Sequence, residues 1–369
     1  MSYHLTPDPS SCGSKVAKSC HRDYGLLVGC GTTALALACM MTPPTQKKII
    51  IPAIACPQVL YAVLYANCEP VFVDICSNSG LIDPNLVRDV LEQDPMIGAV
   101  LVAHTFGHVA DLCKITSHAR TRGTLVIEDV AQAQGGEYAD GRPLGAIGDI
   151  SIVSFGHTKI LDVGGGGVLM TDRHDIYDAC VLLAEQLQPS PINLEARFAE
   201  YRSQYYSEWN SRVDDPAALN RIGRLHHHFR DIFLYREDGA TPKRIIASLP
   251  MLPMEVSARR ELATEYTTLL KDAATIRLCE IASGSVPWRF VFRVPAHERN
   301  KLVGLLRNAG VDVSCWYPCL ANFFRDDSER EILPNADAFA NEVVNLWVTP
   351  GYERQQIHLA CTIIREYFG

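Results

Sequence analysis

The stretch SFGHTKILDVGGGG, residues 154–167, decides how this chain is read. It lies between ISIV (150–153) and VLMT (168–171), two short runs rich in strand-forming residues. Four consecutive glycines are entropically costly to order. A flexible linker tolerates them, but a linker is not normally flanked by two strands. The chain therefore needs a close backbone approach here, and Lys159 is the reactive group beside it.

Working outward, residues 24–171 alternate short apolar strands with helical segments. GLLVG leads into TTALALACMM, and KKIIIPA leads into PQVLYAVLYAN, where Pro57 suits a first helical turn. EPVFVDI is followed by DPNLVRDVLEQ, with Asp83 as cap and proline next. GAVLVAHT, a helix near 109–122, TLVIED, DISIVSF and GVLMT complete the series. Such alternation predicts an α/β fold with a mostly parallel sheet covered by helices, whose ligands gather at the carboxyl ends of strands. Residues 174–187 read as helix, 188–240 show no clean period, and a long helix is expected at 254–271. WRFVFRV, ERNKLVGLLRNAG and VDVSCWYP then form a smaller α+β unit. The expected division is 1–244 for the large domain and 245–369 for the small one.

Bulk properties narrow the function. The chain has 369 residues, a formal net charge of −8 and no basic run, which argues against nucleic acid as a partner. Two uncharged windows, 24–46 and 49–68, approach membrane-spanning length, but both contain prolines and polar residues and read as a buried strand followed by a buried helix. The N-terminus lacks the apolar core of a signal peptide. The 13 cysteines include no CxxC, the closest pair being Cys315 and Cys319, and the HHH run at 226–228 has no companion ligands. No metal site is expected; reduced, buried thiols fit a cytoplasmic protein.

Three constellations carry chemistry. In GLLVGCGTTALALA, glycines between a strand and a helix make an anion site, because free N–H groups and the helix dipole point at the turn. Read as G-x-G-x-x-A from Gly29 to Ala34, it would be a dinucleotide fingerprint, but the next strand ends IIIPA with no acid for a ribose. A single phosphate on Gly31 and Thr32 remains, against the plainer reading of a tight turn. Second, TLVIEDVAQAQGG delivers Glu128 and Asp129 at a strand's carboxyl end, where an acid serves as a helix cap, as a salt-bridge partner, or as the partner of a protonated heterocyclic nitrogen. Third, Lys159 follows one crossover later and can face the same sheet edge. An amine beside a phosphate site and a carboxylate suggests a Schiff-base lysine holding pyridoxal phosphate.

The segments GCGTTALALA, VFVDI, VIEDVAQAQGGEYADGRPLGAIGDISIVSFGHTKIL and GGGGVLMT are similar to the sugar aminotransferases of the DegT/StrS group, within the fold-type I pyridoxal phosphate enzymes. The match runs over 25–172 and continues more faintly in AGVDVSCWYP and WVTPGY. The resemblance implies that Lys159 bonds the cofactor and then serves as acid and base, that Asp129 holds the pyridine nitrogen protonated, and that Gln132 bonds near the phenolic oxygen. It implies that Gly31, Thr32 and Ser154 bind the phosphate. It further implies a homodimer that moves an amino group, from glutamate, to a keto-sugar or cyclic ketone in polysaccharide or natural-product biosynthesis. Elimination, decarboxylation or racemisation on the same scaffold, and a non-catalytic cofactor-binding regulator, are the alternatives.

Three departures from the group's pattern stand out. Cys56, in PAIACPQV, occupies the position where an aromatic residue stacks on the cofactor, and a thiol supplies no such stack. The N-x-R-M segment is not recognisable; LYRED around Arg236 is a weak substitute. The N-terminal arm lacks the usual opening segment. Arg236, Arg289 and Arg293 are all candidates for binding a donor carboxylate.

Overall fold

The structure is a computed structural model that describes residues 8, 10–212, 215, 217–237, 239–324 and 332–368; most of the N-terminal arm thus lies outside the described residues. Seven strands build the principal sheet: β1 (Tyr24–Val28), β2 (Lys48–Pro52), β3 (Glu69–Val73), β4 (Ile97–Ala103), β5 (Leu125–Asp129), β6 (Ile150–Ser154) and β7 (Gly167–Thr171). Their order is β1-β7-β6-β5-β4-β2-β3. All neighbours are parallel except those involving β7, which runs antiparallel to both β1 and β6. Every residue of β4, β5, β6 and β7 is buried, as their unbroken apolar runs require of a sheet covered on both faces. One core fills each face, with Leu37, Ile51, Leu101 and Ile152 on one side and Ile50, Val100, Val126 and Val153 on the other. The two uncharged windows are the strand-and-helix pairs expected of them: β1 with the helix Gly31–Met40, and β2 with the helix Pro57–Tyr65.

The reversal at β7 fixes the position of the site. The glycine-rich loop after β6 returns to the edge it left, so Gly167 pairs with Ser154 on one side and with Val28 on the other. The ends of β1, β5 and β6 and the start of β7 consequently meet at one sheet edge.

A second, antiparallel sheet follows, with β8 (Arg277–Leu278), β9 (Arg289–Arg293), β10 (Val313–Ser314) and β11 (Val343–Trp347) in the order β10-β11-β9-β8. It has its own core around Phe290, Phe292, Leu302 and Val344. Position 244, where the sequence reading divides the chain, falls inside the helix Thr241–Ser248, and the helix Leu252–Leu270 leads on to β8.

The segment 188–240, which shows no clean period in the sequence, is largely helical: Leu194–Ser211, Ala217–His228 and Arg230–Phe233. The first of these buries only Tyr201 and Tyr205. Its aromatic face both joins the core, through Tyr201 and Tyr205 with Phe198 and Trp209 against them, and lines a cavity; tyrosines and a tryptophan among charged residues give the helical period little contrast.

Candidate active site

All six residues singled out from the sequence, Gly31, Thr32, Asp129, Gln132, Ser154 and Lys159, line one cavity of about 1440 Å³. It opens at the sheet edge where β1, β5, β6 and β7 converge and is closed from above by the helix Leu194–Ser211 and by residues of the second sheet. Its volume exceeds what a single small ligand fills.

The anion end is assembled from two places, a helix start and a strand end. The helix Gly31–Met40 starts at Cys30, whose side chain does not cap it, so its first N–H groups stay open to a ligand. The Thr33 hydroxyl is engaged with the Phe233 carbonyl at 3.0 Å, while Gly31 and Thr32 face the cavity. A Cβ on Gly31 would lie 2.7 Å from Cβ and Oγ of Ser154, so the helix start and the end of β6 touch only because residue 31 is glycine. N–H groups and the Thr32 and Ser154 hydroxyls together form a cradle that fits a phosphate.

Adjacent residues of a strand point to opposite faces, and this separates Glu128 from Asp129. Glu128 turns away from the cavity. Its carboxylate accepts from Tyr138 Oη at 2.6 Å, the Gly148 N–H at 2.9 Å, the Ile147 N–H at 3.1 Å and Ser151 Oγ at 3.2 Å, with His104 Nε2 at 3.4 Å. Burial alone would raise its pKa, but the His104 contact and these donors outweigh burial and bring it down to about 2. His104 Nδ1 accepts the Ala110 N–H at 3.0 Å, which leaves the ring proton on Nε2, toward Glu128. Asp129 faces the cavity, and one oxygen accepts the Ala131 N–H at 2.9 Å. Burial pushes its carboxyl up, opposed by that N–H and by the positive field of Lys159. Such a carboxylate gains from a cationic partner.

Lys159 is half-buried and lines the cavity; among the described residues no hydrogen bond or ion pair engages its Nζ. Its loop is firmly held. Asp162 accepts the N–H groups of Thr158 at 2.8 Å and Gly164 at 2.9 Å, and the indole N–H of Trp288 donates to the Thr158 carbonyl at 2.6 Å. Thr158 itself has φ of 66°, a left-handed conformation uncommon for a β-branched residue. Gln132 is fixed at both ends, accepting the Phe106 N–H at 2.8 Å and donating to Tyr317 Oη at 2.6 Å. One amide N–H of Gln132 remains for a ligand.

The glycine run divides its work. Gly164 and Gly166 have φ of 86° and 92°, and a Cβ on Gly167 would meet the Cys30 carbonyl oxygen at 2.3 Å. The run thus turns the chain and presses β7 against the anion turn. Cys56 lines the cavity and donates to Gln58 Oε1 at 2.7 Å; Gln58 in turn donates to Tyr201 Oη at 3.2 Å. Aromatic surface missing at position 56 is present instead on Phe198, Tyr201, Tyr205, Trp209, Trp316 and Tyr317. Tyr205 Oη is buried without a hydrogen-bond partner among the described residues.

Of the three candidate arginines, Arg289 alone lines the cavity; Arg236 is exposed, and Arg293 is committed to Glu342 at 2.6 Å. Sequence reasoning did not assign Trp288, Tyr317 or the aromatic helix to the site. Their only signal was aromatic density in YRSQYYSEW, PWRF and CWYP.

The sequence pattern described as the DegT/DnrJ/EryC1/StrS aminotransferase family matches residues 11–227 and 245–365. A dTDP-3-amino-3,4,6-trideoxy-alpha-D-glucose transaminase of Streptomyces venezuelae is 28% identical over 372 residues, covering 99% of this chain and 88% of that protein. An L-glutamine:scyllo-inosose aminotransferase of Streptomyces griseus is 32% identical over 176 residues, 47% of this chain and 40% of that one. Among solved structures, S. venezuelae DesV in complex with a ketimine intermediate superposes with a TM-score of 0.77 at 24% identity, covering 98% of this chain and 90% of that one; this likeness shows the fold, that of a fold-type I aminotransferase. The match includes every strand of both sheets, and the chain belongs to the DegT/DnrJ/EryC1/StrS aminotransferase family.

Proposed function

We propose that the protein moves an amino group from an α-amino acid, glutamate, to a keto-sugar or cyclic polyol ketone, using pyridoxal phosphate held at the sheet edge. The observation that carries this reading is the meeting of a free amine, a buried carboxylate and a phosphate cradle in one cavity. The names of the relatives, a sugar transaminase and an inosose aminotransferase, support the acceptor class.

Bound there, pyridoxal phosphate supplies an electron sink for the charge left on the donor's α-carbon when a proton departs. The chain's own residues do the rest. Gly31, Thr32 and Ser154 hold the phosphate. Asp129 keeps a proton on the ring nitrogen, a cationic partner that offsets the burial of its carboxylate. Gln132, clamped between Phe106 and Tyr317, offers its remaining N–H to the ring's phenolic oxygen. With the group bound, Lys159, whose Nζ is unencumbered among the described residues, would take the proton from the donor's α-carbon and return it in a 1,3 shift to the carbon on the other side of the donor nitrogen. The aromatic helix Leu194–Ser211 limits the access of water. Assembly as a homodimer and a cytoplasmic location belong to the same proposal; all 13 cysteines are free thiols, which suits a reducing compartment.

The test is the visible absorbance of purified protein with pyridoxal phosphate, wild type against Lys159→Ala, before and after glutamate. A yellow band in the wild type that bleaches with glutamate and is missing in the variant is the expected result. A band that ignores both glutamate and glutamine would replace transamination from these donors with another chemistry. No Lys159-dependent band would overturn the proposal.

A further inference from the structure

Buried side-chain atoms without a hydrogen-bond partner among the described residues are scattered through the molecule, on Thr42, Thr116, Tyr266 and Tyr352 among others. Tyr205 Oη is the one among them whose residue lines the cavity, and Tyr205 is 5% exposed. A buried hydroxyl left unpaired costs more than its removal, so phenylalanine would serve the core at this position equally well or better. The hydroxyl therefore calls for a partner that the chain itself does not supply.

The ring that carries it is firmly placed. Tyr205 packs with Tyr201 and Tyr206 at centroid distances of 5.9 and 5.6 Å and stacks on Trp209 at 6.4 Å with the planes 15° apart. Trp316, just beyond β10, meets it at 5.8 Å. Rotation of the O–H alone is left to adapt to a ligand. By contrast Tyr201, one turn earlier, accepts from Gln58 at 3.2 Å, and Gln58 accepts from the Cys56 thiol at 2.7 Å. Burial raises the Tyr205 phenol well above its ordinary value, with Tyr61, Cys56 and Tyr206 adding and Arg212 opposing. It keeps its proton at neutral pH and is a donor.

Its position is at the reacting end of the cavity. Burial pushes the Cys56 thiol up and the charge of Lys159 draws it back, while the same thiol acts on Tyr205, so Cys56 is a neighbour of both. The cavity also has cations that could attract an anionic ligand. Arg212 is half-buried, its guanidinium 3.8 Å from the Trp209 centroid, and Arg202, Arg244 and Arg307 are exposed. These four suit a charged appendage that reaches toward solvent. A hydroxyl in the neighbourhood of Cys56 and Lys159 meets the part of the acceptor that carries the ketone.

We propose that the Tyr205 hydroxyl donates to a ring hydroxyl of the acceptor and so determines specificity, an inference that rests on the aminotransferase reading above. The recognised chemistry is a polyhydroxylated six-membered ring. Its C–H faces suit the indoles of Trp209 and Trp316, and its hydroxyl oxygen accepts the phenol proton. A free cyclitol and the sugar of a sugar nucleotide both present it. An acceptor lacking oxygen at that position is a poor substrate, because the phenol then stays buried and unpaired.

The experiment is a calorimetric titration of myo-inositol, UDP-glucose and UDP into protein loaded with pyridoxamine phosphate, wild type against Tyr205→Phe, with urea denaturation of both proteins. The wild type should bind at least one ring probe, UDP-glucose counting where it binds more tightly than UDP. Tyr205→Phe should weaken that binding about tenfold, leave UDP unchanged, and keep or raise the urea midpoint. Dependence on Tyr205 for myo-inositol identifies a free cyclitol, and for UDP-glucose alone a sugar nucleotide. No ring probe bound by the wild type, equal binding by the two proteins, an equal loss for UDP, or a lowered urea midpoint would overturn the assignment. Bleaching of the visible band by glutamate, in protein loaded with pyridoxal phosphate, is scored separately. Wild-type protein that is bleached but whose ring binding ignores Tyr205 keeps the aminotransferase reading and loses this one. Tyr205-dependent ring binding without bleaching by glutamate or glutamine does the reverse.

Discussion

At the scale of single residues, the site depends on strand alternation and on one strained position. Glu128 and Asp129 are neighbours with opposite duties, because consecutive side chains leave a strand on opposite faces. Thr158, at φ 66°, stores backbone strain of about 1–3 kcal/mol, maintained by Asp162 and by the indole of Trp288. Replacing Trp288 with Phe preserves a ring against Tyr317 but removes the donor to the Thr158 carbonyl. The expected loss is about 1 kcal/mol of unfolding free energy, measured by urea denaturation. Formation of the visible band with pyridoxal phosphate should also slow several-fold, since Lys159 is next to the released carbonyl. Unchanged stability and unchanged band formation together would show that the bond does not position the lysine.

At the scale of elements, the loop between β6 and β7 joins a reactive lysine to a glycine run whose members are not equivalent. Gly165 has no unusual φ, and its nearest neighbour for a Cβ is the Gly29 carbonyl at 4.0 Å. A Cβ on Gly164 would meet only ordinary contacts, His157 at 3.7 Å and Arg244 at 3.8 Å, but φ there is 86°, and Gly167 is pressed on the Cys30 backbone. Alanine substitution should therefore give a graded series. Gly165→Ala changes stability by less than about 0.5 kcal/mol. Gly164→Ala costs about 1 kcal/mol, and Gly167→Ala costs about 3 kcal/mol. Gly167→Ala should also weaken pyridoxal phosphate binding, because β7 and the anion turn must part. Thermal and urea midpoints of the three variants check the order, and a Gly165→Ala cost equal to that of Gly167→Ala would contradict it.

For the whole molecule, buried ionisable groups set the response to acid. Glu128 is near pKa 2 in the fold, against about 4.3 for an unfolded chain. The stability it contributes is present above about pH 4.3 and is lost as pH falls toward 2. His108, buried and neutral, is held down to about 4, against about 6.5 unfolded, so the unfolded chain takes up that proton first. Its effect has the same sign, a loss of stability as pH falls from about 6.5 to 4. Asp129, raised by burial, acts in the opposite direction. The urea midpoint should fall steadily below about pH 6.5. His108→Gln should flatten the upper part of that fall and Glu128→Gln the lower part; a midpoint insensitive to pH in the parent protein would contradict the argument.

The sequence by itself determined the α/β alternation, the position of Lys159 after a strand, and the meeting of Gly31, Thr32, Asp129, Gln132 and Ser154 with it. Those features are local: a strand's length and the topology of a parallel sheet deliver its carboxyl ends to one edge. It did not reveal the helix Leu194–Ser211, whose inward face is made largely of tyrosines that both join the core and border a cavity and so show little contrast with their charged neighbours. Nor did it choose among Arg236, Arg289 and Arg293. That choice depends on which arginine has a carboxylate beside it, and Glu342, which neutralises Arg293, is 49 residues away in sequence. Long-range pairing of charges and the placement of aromatic rings from three separate segments are decided by tertiary packing, because no local period or spacing encodes them.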